Sequence, residues 1–248
     1  MKTAVIAPLG MSPPVVSAFV DGIGKPISDL ILIATDNPSV RAGARLLTTG
    51  LARRYPWLRV HIDLLPWDDI ATGEQNFSFM SRAARIFREE REVHHCDTIY
   101  LNVSGGRKNM CMTLSLVGQI LQADGVFHVV NHDISVINER LERFRSEIMA
   151  FGDADDPESC EQLYRQHEAD FDHLLFPDRR TYEIIRIHTL PYPSDYLQYL
   201  VGGLCDGGAG LTVEDRDLLV RHGIFERAGS SVTLTPHGEA LLEVILGR

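Results

Sequence analysis

Cysteine pairs, long hydrophobic runs and an excess of basic residues are all missing from this sequence. Its 248 residues include only 4 cysteines, scattered without a CxxC pair, so a disulfide framework is not expected. No stretch reaches the roughly 18 apolar residues of a membrane span, and Pro8 and Gly10 break the apolar N-terminal run. We therefore expect a cytoplasmic protein with reduced thiols and no membrane contact.

The net charge of −10 is concentrated in the last hundred residues. Residues 1–150 carry 16 acidic and 16 basic side chains, whereas residues 151–193 carry 10 against 4 and residues 194–248 carry 8 against 4. A duplex-DNA surface needs clustered lysines and arginines. We therefore do not expect the C-terminal part to bind duplex DNA.

Familiar nucleotide and metal motifs are also absent. No strand is followed by GxGxxG, the segment GGRKNM does not fit a P-loop, and GMSPP is not the GxSxG of a hydrolase. Histidines and cysteine cluster only at His94, His95 and Cys96, and at His128 with His132, and neither set has zinc-ligand spacing. We expect no metal and no cofactor.

Apolar runs and amphipathic segments alternate through the first 150 residues, which predicts a mostly parallel α/β sheet with helices on both faces. Strands are predicted at 3–8, 30–35, 58–65, 98–103 and 126–131, with a further strand beginning at 182, and helices include 76–93 and 135–151. Residues 152–180 suggest an acidic, partly helical insertion or lid. Residues 194–248 have the helix, helix, hairpin, helix outline of a winged-helix module, with Pro236 opening the last helix.

Three strand exits carry polar signatures, and ligands of open α/β sheets bind at such exits. The predicted exits are Gly10–Met11–Ser12 after the first strand, Asp36–Asn37 after the second, and Ser104–Gly105–Gly106–Arg107–Lys108–Asn109 after the fourth. Glycines let backbone N–H groups converge on an anion, and a following helix adds its positive end. The pattern favours a phosphate site. A plain glycine turn with solvated cations, and a simple helix N-cap at Ser12, remain the alternatives.

The segments AVIAPLGMSPPVV, LILIATDNPSV and IYLNVSGGRKNM resemble the CRISPR-associated Rossmann-fold (CARF) domains, and most closely the ring nucleases among them. The resemblance covers roughly residues 1–190. It implies a Rossmann-like domain over 1–190, with a winged helix at 194–248, that dimerises and binds a cyclic oligoadenylate across a two-fold axis. It also implies metal-independent cleavage of cyclic tetra-adenylate to linear di-adenylate with a 2′,3′-cyclic phosphate, which switches off type III CRISPR signalling.

The resemblance implies a role for each strand-exit residue. Catalysis is assigned to Ser12, which orients the ribose or phosphate, and to Arg107 and Lys108, which neutralise the transition state. Ligand binding is assigned to Gly10, Met11, Asp36, Asn37, Ser104, Gly105, Gly106 and Asn109, and to Arg180 (or its neighbour Arg179) closing over the ligand.

Two other functions are compatible with parts of the sequence. The first is a non-catalytic cyclic oligoadenylate sensor, or a CARF regulator acting through a DNA-binding winged helix. Glu214, Asp215 and Asp217 on the second C-terminal helix argue against DNA and favour a dimerisation or lid role for this module. The second is an RNase of the HEPN type, suggested by Arg216 and His222, but a module with a hairpin leaves no room for that helical bundle.

Overall fold

Six strands form one mostly parallel sheet in the computed structural model, which describes residues 1–154, 156–189, 192–229 and 231–247. The strands are β1 (Thr3–Leu9), β2 (Asp29–Ala34), β3 (Arg59–Leu64), β4 (Thr98–Asn102), β5 (Gly125–Asn131) and β6 (Tyr182–Ile187). Their order is β3-β2-β1-β4-β5-β6, and only β6 runs antiparallel. The predicted α/β class is confirmed.

β1 is an interior strand of the sheet. All seven of its residues are buried, as its uninterrupted apolar run predicts. It pairs with β2 on one side and with β4 on the other, so the strand order reverses between β1 and β4. In open α/β sheets a crevice lies between the loops that follow the two strands at which the order reverses. The exits of β1 and β4 therefore face each other at the carboxyl edge.

Helices cover both faces of this sheet. They are α1 (Pro14–Gly22), α2 (Pro38–Arg54), α3 (Gly73–Arg88), α4 (Lys108–Ile120), α5 (Ile134–Arg143), α6 (Arg145–Asp153), α7 (Pro157–Gln166) and α8 (Glu168–Leu175). One core, around Phe19, Leu46 and Phe151, lies beneath α1, α2 and α5 to α8. The other, around Phe79 and Leu114, lies beneath α3 and α4.

The region predicted as an acidic lid is part of the core. Helices α7 and α8 bury Tyr164, Phe171, Leu174 and Leu175 completely. Each such side chain contributes about 1.5–3 kcal/mol to stability through burial. The acidic residues of this region face outward, and Glu161 and Glu168 both form ion pairs with Arg53 of α2. The lid prediction for residues 152–180 was therefore wrong.

Two predicted helices are not single regular α-helices. The helix predicted over 135–151 is interrupted at Phe144, which separates α5 from α6. The helix predicted over 76–93 ends at Arg88 and continues as a π-helical turn, Glu89–Val93. None of the helices in the described ranges is long and apolar enough to cross a membrane.

The C-terminal residues form the predicted helix, helix, hairpin, helix module. Its elements are α9 (Ser194–Cys205), α10 (Val213–Arg221), β7 (Phe225–Ala228), β8 (Ser231–Leu234) and α11 (Pro236–Leu246), with Pro236 in the first turn of α11. A small core of its own contains Leu204 and Phe225. α11 also docks on α3: Val244 joins the core beneath α3, and the Arg88 guanidinium donates to the carbonyls of Val244 and Ile245 at 3.0 and 2.7 Å.

Candidate functional site

A cavity of about 330 Å³ lies where β1 and β4 end. Eight predicted residues line it: Gly10, Met11, Ser12, Asn37, Ser104, Gly105, Gly106 and Arg107. Five further residues line it that the sequence did not single out: Leu9, Thr35, Val40, Asp68 and Met110. The structure thus brings the predicted loops after β1, β2 and β4 together around one space.

Glycines allow the β1 and β4 exits to touch. A Cβ atom on Gly10 would lie 2.9 Å from the Gly106 nitrogen, and one on Gly105 would collide with the Pro8 carbonyl oxygen. Gly106 also has φ +78°, in the region that favours glycine. Among the described residues, neither the Gly105 nor the Gly106 N–H donates a hydrogen bond within the chain. Both are available as backbone donors at the cavity wall.

Ser12 does not cap a helix. The N-cap position of α1 is Pro13, and no side chain caps this helix. The Ser12 hydroxyl is nevertheless buried, and no described residue offers it a hydrogen-bond partner. Burial of an unpartnered hydroxyl costs about 1–3 kcal/mol, and no contact among the described residues offsets that cost.

Ser104 lines the cavity, and its hydroxyl also makes two hydrogen bonds within the chain. Its hydroxyl donates to Asn102 Oδ1 at 2.5 Å and accepts from the Val129 N–H at 2.6 Å. Asn102 is fully buried and its amide donates to the Val15 carbonyl at 3.3 Å. The donor and one acceptor position of the Ser104 hydroxyl therefore hold the exit of β4 against its neighbours.

The two cations of this loop have different partners. Arg107 makes a two-pronged ion pair with Asp69 in the loop between β3 and α3, with Nε–Oδ1 and Nη2–Oδ2 distances of 2.7 and 2.6 Å. Lys108 is the first residue of α4, is exposed, and forms no ion pair within the part of the chain that the structure describes. Lys108 follows the cavity-lining Arg107 in the chain but does not itself line the cavity, whereas the pair with Asp69 holds Arg107 in place.

Three other predicted residues make hydrogen bonds or ion pairs within the chain: Asn109, Asn37 and Asp36. The Asn109 amide donates to the Ile70 carbonyl at 3.3 Å and joins the same two loops as the Arg107–Asp69 pair. The side-chain oxygen Oδ1 of Asn37 accepts from the Ser39 N–H at 3.0 Å as the cap of α2. Asp36 pairs with an arginine of α2 at 3.1 Å and does not line the cavity.

The structure does not bring Arg180 to the cavity. Tyr182, where β6 begins, pairs with the last residue of β5, so Arg180 lies at the carboxyl edge but beyond β5. Its guanidinium binds Asp178 at 3.0 and 2.8 Å, and these hydrogen bonds lower the pKa of Asp178 to about 2. Arg179 lies over the Tyr182 ring, 4.8 Å from its centroid. Neither arginine closes over the cavity in this arrangement.

A separate buried group lies at the opposite, amino edge of the sheet. Asp29, Glu90 and Cys96 place their ligand atoms within 4.8 Å of one another. Lys2 (3.7 Å) and Arg59 already neutralise Asp29. Burial, and to a smaller extent a hydrogen bond to Glu90, raises the pKa of Cys96 to about 12. Because metals bind the thiolate, this protonated, charge-balanced group is a poor metal site as it stands.

Comparison with known proteins gives two family matches. The family model described as CRISPR-associated protein NE0113 matches residues 12–167, more than half of the chain. The model of the CARF-associated HTH matches residues 194–247. No curated protein sequence matches the chain.

The solved structures that match the chain include three at low sequence identity. Csm6 of Enterococcus italicus, bound to cyclic hexa-2′-fluoro-hexa-dAMP, is 13% identical with a TM-score of 0.48, covering 89% of this chain and 49% of its own. Can2 of Sulfobacillus thermosulfidooxidans, in complex with cyclic tetra-adenylate, is 13% identical with a TM-score of 0.40, covering 98% and 61%. Protein VC1899 of Vibrio cholerae is 14% identical with a TM-score of 0.44, covering 98% and 66%. The chain thus spans about half to two thirds of the length of these proteins.

Proposed function

Since the chain belongs to the family of CRISPR-associated protein NE0113 and ends in a CARF-associated helix-turn-helix domain, we propose that it is a ring nuclease. It binds cyclic tetra-adenylate at the cavity between the β1 and β4 exits. It cleaves the ring to linear di-adenylate with a 2′,3′-cyclic phosphate and so ends the signal of type III CRISPR defence. The observation that carries this proposal is the buried, unpartnered Ser12 hydroxyl beside the glycine N–H groups and Arg107 of one cavity.

The β4 exit has the chemistry of a phosphate site. The free N–H groups of Gly105 and Gly106 and the N-terminus of α4 present partial positive charge to the cavity. Lys108 adds a full charge that no carboxylate among the described residues neutralises. Together these groups can hold a phosphate and stabilise the charge that builds on its oxygens in the transition state.

The reaction needs alignment more than a protein nucleophile. The 2′-oxygen of the ribose attacks the adjacent phosphorus as its proton leaves to solvent. The bond from phosphorus to the 5′-oxygen breaks, and solvent returns a proton to that oxygen. Ser12 orients the ribose for the in-line attack, while Arg107 and Lys108 supply the positive charge, so the proposed mechanism requires no metal.

A homodimer would complete the site for a cyclic ligand. Met112 and Leu116 follow Lys108 at helical spacing on α4, and both are exposed, at 73% and 40%. An apolar stripe next to the cation of the site suits contact with the same stripe of a second copy around a two-fold axis. Two cavities would then meet a ring that carries phosphates on opposite sides.

A regulatory sensor is the second candidate, and the docking of the C-terminal module favours it. The loop that holds Asp69 leads directly into α3, and Arg88 at the other end of α3 holds α11. A ligand that draws Arg107 away from Asp69 would therefore act on the element that carries the helix-turn-helix domain. The acidic side chains of α10 oppose a DNA-binding output, so protein contact is the more suitable output.

The test compares Lys108→Ala with Lys25→Ala, which removes an exposed lysine distant from the cavity. Cleavage of labelled cyclic tetra-adenylate is measured under single-turnover conditions. We expect Lys108→Ala to slow cleavage by at least about a hundred-fold, the effect typical of losing one transition-state contact. Lys25→Ala should retain the wild-type rate. Full activity of Lys108→Ala would contradict the role proposed for the β4 exit.

A further inference from the structure

Two sulfur-containing side chains of α4 contact the loop that follows β4. The Cys111 thiol donates to the Gly105 carbonyl oxygen at 2.9 Å, and Met110 Sδ accepts from the Arg107 N–H at 3.5 Å. The strand-exit pattern does not predict either contact, because both side chains belong to the helix that follows the loop. Met110 lines the cavity, whereas Cys111 does not. Cys111 therefore acts on the cavity only through the backbone of the loop.

The hydrogen bond from Cys111 also orients the next N–H group of the chain. A peptide unit is planar and trans, so its carbonyl oxygen and its N–H hydrogen point in opposite directions. Because the Gly105 oxygen accepts from the Cys111 thiol, the Gly106 N–H points away from that sulfur. Both glycines line the cavity, and neither N–H is used within the described part of the chain. The thiol thus sets the direction of one of the two free backbone donors.

The glycines alone do not select this orientation. Rotating the peptide between Gly105 and Gly106 changes ψ of the first residue and φ of the second, and glycine accepts φ of either sign. The rotated peptide would turn a carbonyl oxygen, instead of an N–H, toward the position of a bound anion. Among the described residues, Cys111 is the donor that holds the Gly105 oxygen. A contact from outside the loop is therefore needed to keep the donor in place.

We propose that Cys111 is a positioning residue of the cavity, whose thiol holds the Gly105–Gly106 peptide with the Gly106 N–H available to a phosphate of the ligand. The assignment rests on the proposed function for the identity of that ligand. The role requires a protonated thiol. Burial raises the pKa of Cys111 above its ordinary value, so the thiol is the form present at neutral pH.

The first experiment separates the donor of residue 111 from its volume. Cys111→Ala removes the donor and Cys111→Ser keeps one. Ser115→Ala is the matched control, because the Ser115 hydroxyl donates to a backbone carbonyl of the same helix, one turn further from the loop. Calorimetry measures binding of cyclic tetra-2′-deoxyadenylate, which lacks the attacking 2′-OH. We expect Cys111→Ala to weaken binding about two- to ten-fold, the net value of one hydrogen bond. The other two variants should bind within about two-fold of wild type.

Single-turnover cleavage of cyclic tetra-adenylate by saturating protein distinguishes positioning from a general loss of structure. A bound ring selects the competent orientation of the peptide, so Cys111→Ala should lower the cleavage rate by a smaller factor than the affinity. Equal losses of affinity in Cys111→Ala and Cys111→Ser would mean that the side chain acts through packing, and would overturn the assignment. Wild-type affinity of Cys111→Ala would overturn it as well.

A readout on the loop itself separates this assignment from the proposed function. In protein labelled with ¹⁵N and assigned by triple-resonance NMR, the Gly106 amide resonance should move in Cys111→Ala and stay near its wild-type position in Cys111→Ser. A Gly106 resonance that does not move in Cys111→Ala would overturn the positioning role. Failure of the ring to bind the wild-type protein would overturn the proposed function, and the Gly106 resonance would then decide the orientation by the thiol alone.

Discussion

Replacing Ser12 with alanine should make the protein more stable and less active. The Ser12 hydroxyl is buried without a partner among the described residues, a state that costs about 1–3 kcal/mol. Ser12→Ala removes this group and leaves a void of only one atom. We expect the free energy of unfolding to rise by about 1 kcal/mol, which corresponds to a Tm increase of about 2–4 °C for a chain of this length. Cleavage should fall by about a hundred-fold or more, because the ribose loses its alignment.

Ser104→Ala is the matched control. Its hydroxyl lines the same cavity but satisfies Asn102 and the Val129 N–H. Removing it leaves the Val129 N–H without a partner, while Asn102 Oδ1 keeps its hydrogen bond from the Ser104 N–H, and should lower the free energy of unfolding by about 1–3 kcal/mol. The same chemical change is thus expected to move stability in opposite directions at two positions that line one cavity.

Urea unfolding followed by circular dichroism measures the stability of the two variants, and single-turnover cleavage of labelled ring measures their activity. The reasoning would be refuted if Ser12→Ala lost as much stability as Ser104→Ala. Wild-type cleavage by a well-folded Ser12→Ala protein would refute the functional half.

Three further predictions follow from contacts of the described residues. Asp69→Asn frees Arg107 and removes a negative charge near the ligand, so ring affinity measured by calorimetry should rise about two- to five-fold, the value of an exposed ion pair; unchanged or weaker affinity would count against a phosphate near Arg107. Met112→Lys places like charges across the proposed dimer contact, and sedimentation should show a shift towards monomer, whereas an unchanged dimer would move the interface elsewhere. Iodoacetamide at pH 8 should modify exposed Cys205 well before Cys96, whose pKa is raised to about 12, and equal rates by mass spectrometry would contradict the buried cluster.

The sequence was sufficient for the sheet because its central strands are continuous apolar runs that few other structures accommodate. It was also sufficient for the residues at the exits of β1 and β4, since parallel strands end at one edge. Asp68 and Asp69 were missed because their importance depends on the loop after β3 reaching the loop after β4. No spacing along the chain signals that contact.

The errors have equally local causes. Acidic residues dominate the composition of 152–180 and conceal the few apolar side chains, such as Tyr164 and Phe171, that bury both helices in the core. Arg180 was assigned to the site because it follows this supposed lid. It instead lies in the short turn before the antiparallel edge strand, where Asp178 binds its guanidinium.

Incubation of the wild-type protein with labelled cyclic tetra-adenylate in EDTA, under single-turnover conditions, tests the central claim most directly. The account predicts linear di-adenylate that ends in a 2′,3′-cyclic phosphate, formed without added metal. A ring that stays intact through a long incubation while remaining bound to the protein would contradict cleavage and favour the sensor.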